Sequence, residues 1–270
     1  MYKVIVFLWI SLLLSACTTP TTTTTTTPST PEQPAIPSPP PPPPTVDTQA
    51  LPQPKATPTP LYGIDISKFQ GKEISEIKPG DQDLTFVICK ATEGRNYIDP
   101  EFTYNWQAIA KEGFIRGAYH FYHTQDNPTD QANFFVKIVE KWSAQDIPPI
   151  VDFEEASIGK NAQKKDVQTD LLTFLQRIEE VTGRQPMIYT DVNTGNNYLD
   201  SPTFSPYPLW IAYYEDKSKP DLPSAWREWT FWQKTGTYKI GPTTNDYDVF
   251  HGGMNEMQAF IQKTNLTKPQ

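Results

Sequence analysis

Cysteine is almost missing from this chain. Its 270 residues hold two, Cys17 and Cys89, so no disulfide framework can staple the fold and stability has to come from an apolar core. Histidine is nearly as scarce, at three residues. His120 and His123 stand three apart in a strand-like stretch, which turns them to opposite faces, and His251 stands alone, so no histidine pair has metal-ligand spacing. Positive charge is also short: 23 Lys and Arg against 31 Asp and Glu give a net charge of -8. Without a basic stripe, sequence-independent binding to nucleic acid is excluded. No glycine-rich phosphate loop, Cys-x-x-Cys, His-Glu-x-x-His or nucleophile elbow occurs, so neither a metal nor a nucleotide cofactor is expected.

What is present falls into three zones. Residues 1–16 carry one early cation, Lys3, and the apolar run Val4 to Leu14, which is shorter than the about 20 residues of a spanning helix and has the pattern of an export signal. Its end, Leu14-Ser15-Ala16-Cys17, resembles the lipobox of bacterial lipoproteins, which would make Cys17 the lipid-modified first residue of the mature chain. The expected location is therefore outside the cytoplasm, tied to a membrane by lipid on Cys17. Thr18 after the cysteine would permit outer-membrane sorting in a Gram-negative cell. Residues 17–60 are threonine and proline with little charge, including Thr21 to Thr27 and Pro39 to Pro44. Such a segment cannot bury a core. In extended polyproline form, at about 3.1 Å per residue, it would tether a domain on the order of 100 Å from the lipid.

Residues 61–270 are mixed, aromatic-rich and long enough for one core. Leu61 to Ser67 reads as a strand, as does the continuous apolar run Leu84 to Lys90. Asp99-Pro100 opens a predicted helix carrying Phe102, Trp106, Ile109 and Ala110, with Gly113 as its stop. Phe114 to Tyr122 reads as a strand, and Asn127-Pro128 caps a helix bearing Phe134, Phe135, Ile138, Val139 and Trp142. A third helix carries the stripe from Val167 to Val181 and stops at Gly183. Met187 to Thr190, Leu209 to Ala212, Thr230 to Gln233 and Tyr247 to Phe250 are short strand-like pieces between proline and glycine turns. The alternation predicts an α/β barrel whose early strands are parallel with crossover helices and whose last strands have few helices outside them. In such a barrel, functional groups gather at the carboxyl ends of the strands.

Pro148-Pro149-Ile150-Val151-Asp152-Phe153-Glu154-Glu155 fits that scheme most directly. Residues two apart in a strand share a face, roughly 6–7 Å apart at the backbone, so Asp152 and Glu154 point the same way and Phe153 the other. Two carboxyls so close, partly withdrawn from water, drive one pKa upward toward the range of a proton donor. The same octapeptide also fits a strand end whose solvated acids cap the next loop. Asp65, and Asp246 with Asp248, stand at other strand-like ends.

Ordered blocks then point to a family. Gly63-Ile64-Asp65-Ile66-Ser67 with Gln70-Gly71, Phe86 to Gly94, Gly117-Ala118-Tyr119-His120-Phe121, Asp152-Phe153-Glu154, Ile188-Tyr189-Thr190, Leu209-Trp210-Ile211-Ala212, Trp232-Gln233 and Asp246 to Phe250 run through nearly the whole folded region. The domain resembles the glycoside hydrolase family 25 lysozymes, the Chalaropsis-type muramidases. The resemblance implies an irregular TIM-like β/α barrel acting on peptidoglycan glycan strands at the β-1,4 bond between N-acetylmuramic acid and N-acetylglucosamine. By position it makes Glu154 the acid that protonates the leaving oxygen, and Asp65, Asp152 and Asp246 the other cleft carboxylates. One block departs from the pattern: where the family usually has aspartate, an apolar residue and asparagine, the third position here is Asp248.

Such hydrolysis needs one group to donate a proton and another to stabilise positive charge or activate water. If Asp152 and the other aspartates stay ionised, their field keeps Glu154 protonated. Whether the second role is nucleophile, water base or orienter of the substrate's own acetamido group stays open. Sugars also bind flat apolar faces with polar edges, which makes Tyr119, Tyr189, Trp210 and Tyr213 the binding candidates, with Gln233 as a hydrogen-bond partner. A noncatalytic glycan-binding lipoprotein and a hydrolase of another N-acetylated glycan such as chitin are the alternatives. The chain is expected to act as a monomer.

Overall fold

The computed structural model describes residues 58–266. The expected signal, the lipidated Cys17 and the tether up to residue 57 lie outside the described residues. The strands are β1 (Leu61–Ile66), β2 (Leu84–Glu93), β3 (Tyr97–Ile98), β4 (Ile115–Phe121), β5 (Ile150–Asp152), β6 (Met187–Asp191), β7 (Leu209–Ala212), β8 (Phe231–Ile240) and β9 (Thr243–Phe250). Eight of them form a closed ring, in which β1 pairs with both β2 and β9, while the two-residue β3 hangs on the edge of β2. From β1 round to β8 every pairing in the ring is parallel; β9 runs antiparallel to both its neighbours. The α/β barrel read from the sequence is the one found.

Two short 3-10 turns lie between β1 and β2, and helices α1 (Phe102–Glu112), α2 (Pro128–Val139), α3 (Lys164–Thr182) and the short α4 (Val192–Tyr198) make the crossovers from β2 to β7. Among the described residues no helix joins β7 to β8. There the strands β8 and β9 form a hairpin turned at Gly241, whose φ of 53° a side chain would resist. The hairpin is longer than the two short pieces expected. Its outer part, Lys234 to Thr244, carries no buried face until Ile240, so apolar periodicity could not announce it. Two helix ends also differ. The first helix starts at Phe102: Asp99 does cap the turn begun at Pro100, its carboxylate accepting from the Glu101 amide as well as from that of Lys68 and its carbonyl from the Phe102 amide, but that turn precedes the helix. The second ends at Val139, so Trp142 lies beyond it but still packs edge-on against Phe135 and Trp106. The Asn127 cap is as expected, its side chain accepting from the Asp130 amide.

Period-two alternation sorts the strand residues into two cores. Val87, Cys89, Val151, Phe153, Ile188 and Ile211 point outward and meet Phe135, Leu171, Phe174 and Ile178 of the helices. Phe86, Ile88, Ile150, Met187, Phe231 and Phe250 point into the barrel, and Met257 and Ile261 of α5 (Met254–Lys263) close it from below. Each such side chain contributes about 1.5–3 kcal/mol by leaving water. Because apolar residues fill the amino-terminal end, the inward positions one step further along each strand are left for polar groups at the open end.

Candidate active site

Those inward positions are Asp65 on β1, Lys90 on β2, Tyr119 on β4, Asp152 on β5, Tyr189 on β6, Gln233 on β8 and Asp246 on β9. With Glu154, Tyr214, Ser67, Gln70, Phe69, Phe121 and Trp210 they line a cleft of about 310 Å³. Asp152 and Glu154 share it, as two strand-spaced residues must, while Phe153 between them is fully buried in the outer core. Register holds Asp65 directly opposite Asp246 across the β1–β9 pair. Close approach is helped by Gly236, where an added Cβ would lie 2.8 Å from an Asp246 carboxylate oxygen.

Gln233 organises one wall. Its Nε2 donates to Asp65 Oδ2 at 2.7 Å, and its Oε1 accepts from the Tyr189 hydroxyl at 2.8 Å and from the Tyr214 hydroxyl. The residue expected to bind sugar directly is thus engaged by the protein and fixes Asp65. Trp210 is nearly buried beneath Tyr189 and Tyr119, with ring centroids at 4.7 and 6.4 Å, and forms the floor. Its Nε1 donates to Asp248 Oδ1 at 2.8 Å. Asp248 is fully buried one step below Asp246 and does not line the cleft, whereas Asp246 does. That supports aligning Asp246 with the family acid.

Tyr213 is a correction. It lies outside the cleft lining, its hydroxyl donating to Asp221 Oδ2 at 2.8 Å, and Tyr214 takes the expected place. Alternation along β7 explains the swap: Trp210, Ala212 and Tyr214 share a side, and Tyr213 faces the other. The same count from Ile88 would have found Lys90, which sequence reasoning missed. Among the lining residues Lys90 is the only cation. It donates to Glu93 Oε2 at 2.6 Å, and the other oxygen of Glu93 meets His123 Nε2 at 3.1 Å. Phe69, 79% exposed at the rim, was missed for want of any periodic signal in its surroundings, whereas Phe121, two residues beyond Tyr119 on β4, could have been found by the same alternation.

The electrostatics depart from expectation in one respect. Burial, not a neighbour's charge, is the leading cause of every carboxyl shift here. It pushes Asp65, Asp152 and Asp248 well above the carboxylate range, with Asp246, Glu154 and Asp65 respectively adding repulsion. Glu154 is raised by burial and then by Asp191 at the end of β6, against the pull of Lys90; Asp246 is raised by burial. Beside the neighbouring charges, burial is therefore the stronger reason for Glu154 to hold its proton, and the four carboxyls that line the cleft, all raised, lie beside one cation, with Asp248 buried behind them. Such a cluster can offer a proton from one member and negative charge from another.

The chain and its barrel have counterparts. The sequence profile of Glycosyl hydrolases family 25 matches residues 64–242. The chain is 32% identical over 209 residues to the uncharacterised protein YegX of Escherichia coli, covering 74% of this chain and 73% of that protein. It is 31% identical over 215 residues to Lysozyme M1 of Streptomyces globisporus, covering 76% and 72%. The crystal structure of the bacterial lysozyme from Streptomyces coelicolor is similar with a TM-score of 0.70 and 29% identity, over 76% of this chain and 99% of that one.

Proposed function

The chain belongs to glycosyl hydrolase family 25, and from that membership we propose that it hydrolyses peptidoglycan at the β-1,4 bond between N-acetylmuramic acid and N-acetylglucosamine, with Glu154 as proton donor. One observation carries the assignment: Asp65, Asp152, Glu154 and Asp246 converge from three parts of the chain on one aromatic-floored cleft at the open end of the barrel. Breaking a glycosidic bond passes through an oxocarbenium-like state, which needs a protonated carboxyl at the leaving oxygen and negative charge facing the sugar ring. Glu154 suits the first role because it is less enclosed than Asp152 and its pKa is raised. The buried aspartates suit the second, and Tyr119, Tyr189, Tyr214 and Phe69 offer the apolar faces a sugar needs.

The leader supports a place for this activity. We propose export and lipid attachment at Cys17, with residues 17–60 as the tether that lets the barrel reach the wall, and in a Gram-negative cell sorting to the outer membrane. Labelled fatty acid should attach to the wild type and not to Cys17→Ser.

Full-length protein in detergent, given purified peptidoglycan, should release fragments whose masses carry N-acetylmuramic acid at the reducing end. Glu154→Gln should be slower by about 10²-fold or more, the usual weight of general acid catalysis. Equal rates for the two proteins would overturn the role of Glu154. Binding without release would leave a glycan-binding lipoprotein, and release from chitin alone would reassign the substrate.

A further inference from the structure

Asp248 is a fully buried carboxyl that the catalytic reading does not use. It projects inward from β9 between Trp210 and Asp65. Trp210 Nε1 holds Oδ1 at 2.8 Å, but Oδ2 is buried and receives no hydrogen bond from any N–H or O–H among the described residues. Strand register explains the isolation. Asp248 stands opposite Gly63 on β1 and opposite Gln233 on β8. Gly63 has no side chain to offer, since Phe86 fills the space where one would begin. The amide of Gln233 is already engaged by Asp65 and two tyrosines. The group left within hydrogen-bonding reach of Asp248 is the carboxyl of Asp65.

Two carboxyls in that relation repel each other and have lost solvent, which favours a single proton held between them. The two ends of the pair are not equivalent. Asp65 accepts from Gln233 and opens onto the cleft, where water or substrate can answer its charge. Asp248 has a single donor and no exposure. We propose that Asp248 is a positioning residue that keeps its proton and donates it as a hydrogen bond to Asp65, so that Asp65 is the charged member of the pair at the cleft wall.

The other titratable groups around the pair do not change this order. Asp246 on β9 raises both Asp65 and Asp248, and Glu154 at the end of β5 raises Asp65, so their negative field keeps one proton on the pair and leaves the hydrogen-bond donors to decide which member holds it. Lys90 on β2, Tyr119 on β4, Tyr189 on β6 and Tyr214 after β7 all line the cleft, as Asp65 does and Asp248 does not. Burial and the hydrogen bond to Asp65 both hold the Asp248 proton in place, and the same bond draws the pKa of Asp65 down.

The inference rests on the proposed hydrolase reading for its kinetic arm and is independent of it for its spectroscopic arm. An asparagine at 248 can accept from Trp210 through Oδ1 and donate to Asp65 through Nδ2, so Asp248→Asn should keep kcat/KM within about threefold and leave both limbs of its pH profile in place. Asp248→Leu removes the donor. Its acidic limb should move up by about one to two pH units, the worth of a hydrogen bond to a charged group. In infrared difference spectra of the full chain at neutral pH, the wild type should show a protonated-carboxyl C=O band that Asp248→Asn lacks, a readout that needs neither turnover nor a foldable leucine variant. A 100-fold fall in kcat for Asp248→Asn at unchanged Tm, an unmoved profile in folded Asp248→Leu, or no band difference would each overturn the proposal. An inactive wild type would sink the hydrolase reading and leave the infrared result to decide the proton.

Discussion

Replacing Asp152 by asparagine should make the protein more stable at neutral pH while disabling it. Asp152 is 8% exposed, and its Oδ1 is buried with no hydrogen-bond donor. Burial first, and then the charge of Glu154, raise its pKa well above the ordinary carboxylate range; Lys90 opposes them only in part. A carboxyl whose pKa is higher folded than unfolded binds its proton more tightly in the native state. Its contribution to stability is then fully present below the unfolded value of about 3.9 and is lost as pH rises through the folded value. Asparagine has the same shape and no proton to lose. Leaving one buried polar group without a partner costs about 1–3 kcal/mol, and the amide can donate to the carboxylates around it. For a domain of this size that corresponds to a rise in Tm of roughly 2–10 °C at pH 7. Calorimetry on wild type and Asp152→Asn at pH 3, 5 and 7 should show curves that coincide at the acid end and separate as pH rises. A variant less stable than wild type at pH 7, or a gap that does not depend on pH, would refute the reasoning. Turnover should fall steeply in the same variant, because strain held in a catalytic cleft is what the substitution relieves.

Two further outcomes check the packing of the site. An alanine Cβ at Gly63 would lie 2.4 Å from the Phe86 ring and 2.5 Å from the Phe86 carbonyl oxygen, so Gly63→Ala should lower stability by about 1–3 kcal/mol in chemical denaturation, with m unchanged. Tyr214→Phe should slow hydrolysis by loosening Gln233 and with it Asp65, whereas Tyr213→Phe, whose hydroxyl faces Asp221 away from the cleft, should leave kcat/KM within about twofold.

Much of the fold could be read along the chain because the inward and outward positions of a closed parallel barrel follow a strict period of two. Ile150 and Asp152 go in while Val151 and Phe153 go out, and the octapeptide contains the whole pattern. The long stripe of α3 and the glycine stops at Gly113 and Gly183 were legible for the same reason: they are local. The β8–β9 hairpin was not, since its outer half pairs through backbone and presents little apolar side-chain pattern to read. The Tyr213 assignment failed where proximity in sequence was allowed to stand in for the alternation that carries Tyr214 into the cleft.

By itself the sequence determined the barrel class and pointed to the carboxyls Asp65, Asp152, Glu154 and Asp246, because hydrophobic periodicity and strand-end acids are properties of neighbouring residues. The tertiary structure alone decided how deeply the carboxyls are buried and which groups they meet. Gln233 meets Asp65 across 168 residues and Trp210 meets Asp248 across 38. The solvent that would have kept each acid ionised is removed only when the ring of strands closes, and a pKa set by burial cannot be read before there is an inside.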